Sequence, residues 1–205
     1  LGNGTTLGGI IVDGGKFDWN SDKFPGFTTP DPSYNNLVYS EALGAAAFIT
    51  KARVQLLRDF GPAISPYNAF QFNLGLETLH VRMKEHMANT KKIVAYLKNH
   101  PAVKWVLHPD EPSHPNYDLA QKYLPKGAGS VVVFGIEGGR EAGAKLIDNI
   151  SLWSHVANVG DAKSLIIHPA STTHQQLTAE ELKKSGVTED LVRLSIGIEN
   201  ADDLI

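Results

Sequence analysis

The chain has 205 residues, of which 42% are hydrophobic and 20% charged, and 19 basic against 22 acidic side chains leave a net charge of −3. This composition excludes collagen-like, disordered and coiled-coil chains, and the interspersed charges leave no basic face for nucleic acid. There are no cysteines, which excludes a disulfide framework, a thiol nucleophile and a cysteine zinc site and fits a reducing cytosol.

No apolar run approaches the roughly 18 residues of a membrane span, and the start lacks a signal-peptide pattern. The chain opens Leu1-Gly2-Asn3-Gly4 without a Met and stops at Ile205, where a helix is expected to begin. Both ends predict a piece of a longer polypeptide. Within the Gly-rich residues 1–16, the apolar core of Leu7-Gly8-Gly9-Ile10-Ile11-Val12-Asp13-Gly14-Gly15 predicts a buried strand. Residues 17–39 carry Pro25, Pro30 and Pro32 among many Asn, Asp and Ser, which predicts a long loop. Its aromatic residues, Phe17, Trp19, Phe24, Phe27 and Tyr34, suggest contact with another chain or with the missing part of the polypeptide, the alternative being that the loop folds back on its own domain. Residues 40–60 predict a helix that stops at Gly61-Pro62.

Ser65-Pro66 is a helix start signal, and apolar periodicity continues from Phe70 to Leu97 before His100-Pro101 ends it. More than thirty helical residues are too many for an ordinary helix, so a kink near Gly75 or a bridge between two units is expected. Beyond residue 100, strands are expected at 103–107, 131–136, 164–168 and 191–197. Helices are expected at 116–123 and 139–149, and from Thr178, where Thr178 and Glu181 have capping-box spacing. Strands alternating with helices make this part a small α/β layer.

Four features bear on chemistry. Arg193 lies in a strand between Val192 and Leu194, so its guanidinium needs a partner. It is either a fork for a substrate carboxylate or an ion-pair partner of Glu199, Asp202 or Asp203. The stretch from Asn158 to His174 is dense in short polar side chains around a strand, as suits orientation of a small polar ligand or, equally, turn and cap formation. The eight histidines include no helical i, i+4 pair, which gives no metal site and leaves them as surface or core residues. The Gly-rich start lacks GxGxxG and a Walker lysine, so Gly2-Asn3-Gly4 and Gly8-Gly9 read as tight-turn glycines.

Whole segments resemble one family. LGNGTTLGGIIVDGGKFDW at 1–19, GLETLHVRMKEHMANT at 75–90, HVANVGDAKSLIIHPASTTHQQL at 155–177 and LVRLSIGIENADDLI at 191–205 are similar, in the right order, to the C-terminal half of the Cys/Met-metabolism family of pyridoxal-phosphate (PLP) enzymes. The resemblance implies an α/β fold of the aspartate-aminotransferase-like type (PLP fold type I). On it, residues 1–63 are the end of the PLP-binding large domain, 64–99 the connecting long helix and 100–205 the small C-terminal domain.

Within the family the chain is most similar to enzymes that make homocysteine from O-acetylhomoserine and sulfide with release of acetate. That implies a cytoplasmic transferase of methionine biosynthesis, a homotetramer built as a dimer of dimers. Alternatives are cystathionine γ-synthase or methionine γ-lyase type activity, or a non-catalytic fragment. The family's Schiff-base lysine is expected just before Leu1, and PLP is expected to be bound mainly by upstream residues in a missing N-terminal half. No catalytic residue is expected in this chain.

By the same resemblance, Arg193 matches the arginine that binds the substrate α-carboxylate. Asn158 and Val159 match a polar-then-apolar pair beside cofactor and substrate, Thr173 matches a threonine of the substrate pocket, and Ser164 lies in the matching strand. Asn3 stands where relatives usually have histidine, and Tyr34-Asn35-Asn36 where they often have Tyr-His-Gly.

Overall fold

The computed structural model describes residues 3–205. The chain divides into two compact units, residues 7–69 and residues 3–6 with 70–205. Leu1 and Gly2, including the glycine expected to open a tight turn, lie outside the described residues; Gly4 has the left-handed φ of +64° that such a turn needs.

In the first unit the expected strand at Leu7–Val12 does not form. Leu7, Ile10 and Val12 are 89%, 87% and 82% exposed, and no strand pairs with this run among the described residues. The apolar pattern suits a strand, but a strand exists only where neighbouring backbone takes up its N–H and C=O groups. The segment at 17–39 is largely irregular, as expected, with one helical turn α1 (Pro25–Thr28) and a 3₁₀ turn (Pro32–Tyr34). Its aromatics fold back on their own unit. Trp19 stacks on Phe27 and Phe48 with ring centroids 4.5 and 5.2 Å apart, Phe17 and Phe24 pack on Trp19, and Tyr34 stacks on Tyr39.

Asp31 ties this loop down. Its carboxylate accepts from Ser33, from Tyr39 Oη at 3.1 Å and from Gln55 Nε2 at 2.6 Å. The Ser33 hydroxyl above all holds the Asp31 carboxyl below its usual range. The expected helix at 40–60 is broken into α2 (Tyr39–Leu43), a 3₁₀ turn, α3 (Ala47–Lys51), a π-helical turn (Ala52–Leu57) and α4 (Arg58–Phe60), and it ends at Gly61 with φ +66°.

The long helix is two helices, α5 (Pro66–Glu77) and α6 (Leu79–Asn99). The break falls at Thr78, three residues past Gly75, where φ −106° and ψ 3° leave the helical region. The Arg82 guanidinium donates to the Gly75 carbonyl at 2.9 Å and to Thr78 Oγ1, so it satisfies groups that the break releases.

In the second unit, β1 (Val103–Leu107), α7 (Tyr117–Tyr123), β2 (Val131–Ile136), α8 (Gly139–Asn149), β3 (Leu165–Ile167), α9 (Ala179–Lys184), β4 (Leu191–Ser195) and α10 (Ala201–Leu204) succeed one another in order. Between α8 and β3 an isolated bridge joins Ser154 to Leu165. The sheet is antiparallel throughout, in the order β1-β2-β4-β3. Side chains alternate across it. Val132, Phe134, Ile166, Val192 and Leu194 share one core with Ile93, Val94 and Leu97 of α6 and Ile147 of α8. Polar residues of α6 fix the turn after β4. His86 Nδ1–H donates to the Ile196 carbonyl at 2.6 Å, and Asn89 donates to the carbonyls of Gly197 and Glu199. No helix among the described residues is long and apolar enough to cross a membrane.

Candidate functional site

Alternation along β4 decides where Arg193 goes. Val192 and Leu194 occupy the core, so Arg193 emerges on the opposite face of the sheet, paired in register with Val133 of β2 and Ile167 of β3. There an open cleft of about 490 Å³ has apolar walls from Val133, Ile167, Val187 and Leu191. Its polar groups are those of Asn158, Thr173, His174 and Arg193.

Arg193 is half-buried, and its Nη2–H donates to the backbone carbonyl of Asn158 at 3.0 Å. Among the described residues no carboxylate pairs with it. Asp202 lies 4.0 Å from Lys92, and Glu199 accepts from Ser164. The ion-pair alternative is therefore removed. A carbonyl satisfies one N–H without cancelling the charge, and the remaining planar donors match a carboxylate in bidentate fashion.

Four of the expected site residues meet in this cleft: Arg193, Asn158, Val159 and Thr173. Asn158 Oδ1 accepts from Val159 N at 2.9 Å, so this side chain orders its own turn while its carbonyl holds Arg193. Val159 is 69% exposed beside it. Thr173 Oγ1 lies 2.8 Å from His174 Nδ1. Ser164 is not brought to the cleft. It is fully buried, its hydroxyl donating to Glu199 Oε2 at 2.9 Å and accepting from Gly197 N at 2.8 Å.

His174, a surface or core histidine by its spacing in the sequence, lines the cleft. Its position next to Thr173 is the signal that sequence reasoning passes over. Among the described residues no cluster of three or more His, Asp or Glu side chains is placed to hold a metal ion. Among the described residues no lysine lines the cleft.

Comparison with known proteins gives these features a context. Residues 1–205 match the family described as Cys/Met metabolism PLP-dependent enzyme. A sulfhydrylase from Gibberella moniliformis is 52% identical over 206 residues, which cover 100% of this chain and 48% of that protein. An O-acetyl-L-homoserine sulfhydrylase from Leptospira meyeri is 52% identical over 213 residues, with the same coverage. A homocysteine synthase from Schizosaccharomyces pombe is 48% identical over 206 residues. The chain thus spans about half the length of the curated relatives it matches. A crystal structure described as an O-acetylhomoserine (thiol)-lyase from Campylobacter jejuni, which contains N'-pyridoxyl-lysine-5'-monophosphate, superposes with a TM-score of 0.77 at 41% identity. The match covers 91% of this chain and 44% of that one.

Proposed function

The chain belongs to the Cys/Met-metabolism PLP-dependent enzymes, and on that footing we propose that it forms the substrate-carboxylate side of an O-acetylhomoserine sulfhydrylase. The whole enzyme would convert O-acetylhomoserine and sulfide to homocysteine and acetate, as a cytoplasmic homotetramer. In this reading residues 1–63 complete the PLP-binding domain, 64–99 connect, and 100–205 form the small domain. The observation that carries the proposal is a half-buried arginine that opens onto a cleft with no carboxylate partner.

Bound PLP supplies an electron sink for bonds at the Cα of an amino acid. The residues here fit the amino acid that such chemistry acts on, because the cleft offers a guanidinium that matches a carboxylate and a hydroxyl beside it. Arg193 takes the α-carboxylate through its unused donors. Thr173 offers a hydroxyl to the same ligand, and Val159 with Val133 presents apolar surface beside it. Holding the carboxylate at two points fixes the plane of that group and the direction of its bond to Cα, which restricts how the amino acid can lie in the cleft.

The test is Arg193→Lys in the full-length enzyme. Lysine keeps the charge and loses the planar fork. Loss of one hydrogen bond to a charged group costs about 1.5–3 kcal/mol, so KM for O-acetylhomoserine should rise about 10- to 150-fold while the visible absorbance of bound cofactor persists. An unchanged KM and kcat would refute the assignment.

A further inference from the structure

Arg193 and Thr173 reach the cleft from different segments, and something must hold those segments in register. The β3–β4 ladder ends at the pair Ile167–Arg193. Beyond it, among the described residues, no backbone hydrogen bond joins residues 169–174 to residues 186–191. One side chain does join them. His168 is completely buried, and its Nε2 lies 2.9 Å from the carbonyl oxygen of Glu189, two residues before β4. A carbonyl can only accept, so the proton sits on Nε2. Nδ1 is then left to accept from the Ser171 hydroxyl at 2.8 Å. The carbonyl of His168 accepts from Thr172 Oγ1, also at 2.8 Å. The ring lies flush against α8: a Cβ on Gly143 would stand 2.3 Å from His168 Cδ2.

We infer that His168 is a positioning residue of the carboxylate cleft. Its imidazole links the loop that carries Thr173 and His174 to the lead-in of the strand that carries Arg193, and so sets the spacing that an amino-acid carboxylate meets. Gly143 is the seat that lets the ring lie there. The inference rests on the reading that Arg193 takes the carboxylate.

Two substitutions separate the two ring bonds. In His168→Gln the longer amide reaches the place of Nε2 and can still donate to Glu189. In His168→Asn the shorter side chain can accept from Ser171 but cannot span to Glu189. With the full-length holoenzyme, His168→Asn should raise KM for O-acetylhomoserine about tenfold, the low end of what losing one charge-assisted hydrogen bond to the carboxylate costs, with kcat changed less than about twofold. His168→Gln should restore most of the affinity. Gly143→Ala, which alters neither loop, should move KM in the same direction as His168→Asn.

Urea midpoints of the same samples and Arg193→Lys are run alongside. If both His168 variants lower the midpoint and leave KM at the wild-type value, the residue only fills the core and the inference is overturned. If Arg193→Lys shifts KM and His168→Asn does not, the inference fails and the reading of the cleft stands. If Arg193→Lys leaves KM unchanged, both fall. Should His168→Asn not fold, Gly143→Ala decides: a raised KM supports the inference and a wild-type KM overturns it.

Discussion

Ser164→Ala separates a structural hydroxyl from a substrate-binding one. Ser164 makes three bonds around the turn after β4. Its N–H donates to Glu199 Oε1 at 2.7 Å, its hydroxyl donates to Glu199 Oε2 at 2.9 Å, and the hydroxyl accepts from Gly197 N at 2.8 Å. Alanine keeps the first bond and removes the other two. The lost hydrogen bond to a carboxylate is worth about 1.5–3 kcal/mol, and the Gly197 N–H left buried without a partner costs about 1–3. One hydroxyl makes both bonds, so the effects overlap, and we predict a net loss of about 2–4 kcal/mol. The turn cannot readily relax toward a new partner, because the backbone at Gly197 is packed so closely that a Cβ would stand 2.4 Å from the Ala162 carbonyl. Urea denaturation of the full-length protein, followed by tryptophan fluorescence with the buried Trp153 as one reporter, measures the loss. KM for O-acetylhomoserine should stay within about twofold of wild type. A stability change near zero together with a KM raised tenfold would refute the reasoning and put the hydroxyl on the substrate.

Three other outcomes are expected. Gly135→Ala would place a Cβ 2.1 Å from Trp105 Nε1 and 2.6 Å from Asp190 Oδ2; the resulting overpacking should cost about 1–3 kcal/mol by urea midpoint and break the 3.1 Å bond between Trp105 and Asp190. Burial first, and then its bond to Asp31, push the Tyr39 phenol up to about 12. The stability this represents is complete below the ordinary tyrosine value near 10 and is lost as pH rises through about 12; a phenolate absorbance titration of wild type minus Tyr39→Phe should show one late-ionising group. Thr178→Ala removes the capping box at α9 and should cost about 1 kcal/mol. The Thr178 N–H holds the Glu181 carboxyl below its usual range, so the contribution of this cap should fade as pH drops through the lowered value, as a urea midpoint series would show.

Features that depend on near neighbours are legible in the sequence. The strands at 103–107 and 131–136, the helix at 139–149 and the cap at Thr178 form as expected, because periodicity and capping act within a few residues. Leu7–Val12 has the composition of a buried strand but no partner among the described residues, and composition cannot supply one. The break in the long helix is expected near Gly75 but falls at Thr78. The turn that forms is the one whose released groups Arg82, seven residues beyond Gly75, can reach. Ser164 and His168 escape a reading by local pattern for one shared reason. Their partners lie 35 and 21 residues away at Glu199 and Glu189, and no local pattern announces such contacts.

Arg193 shows how a charge is kept ready on a packed sheet. Placing it between Val192 and Leu194 commits the strand to a core on one face and a guanidinium on the other. The pairing with Val133 and Ile167 gives its stem apolar neighbours, which favours burial of the methylenes while the head stays at the cleft. A nearby carboxylate would complete this arrangement as an inert ion pair. The acid six residues along the chain, Glu199, is held by Ser164 instead. The partner that Arg193 does have is the carbonyl of Asn158, which orients the group while leaving its charge uncancelled. The clamp at Ser164 keeps Glu199 at the turn after β4, and in the reading we propose the charge left at Arg193 is met by a ligand that brings its own carboxylate.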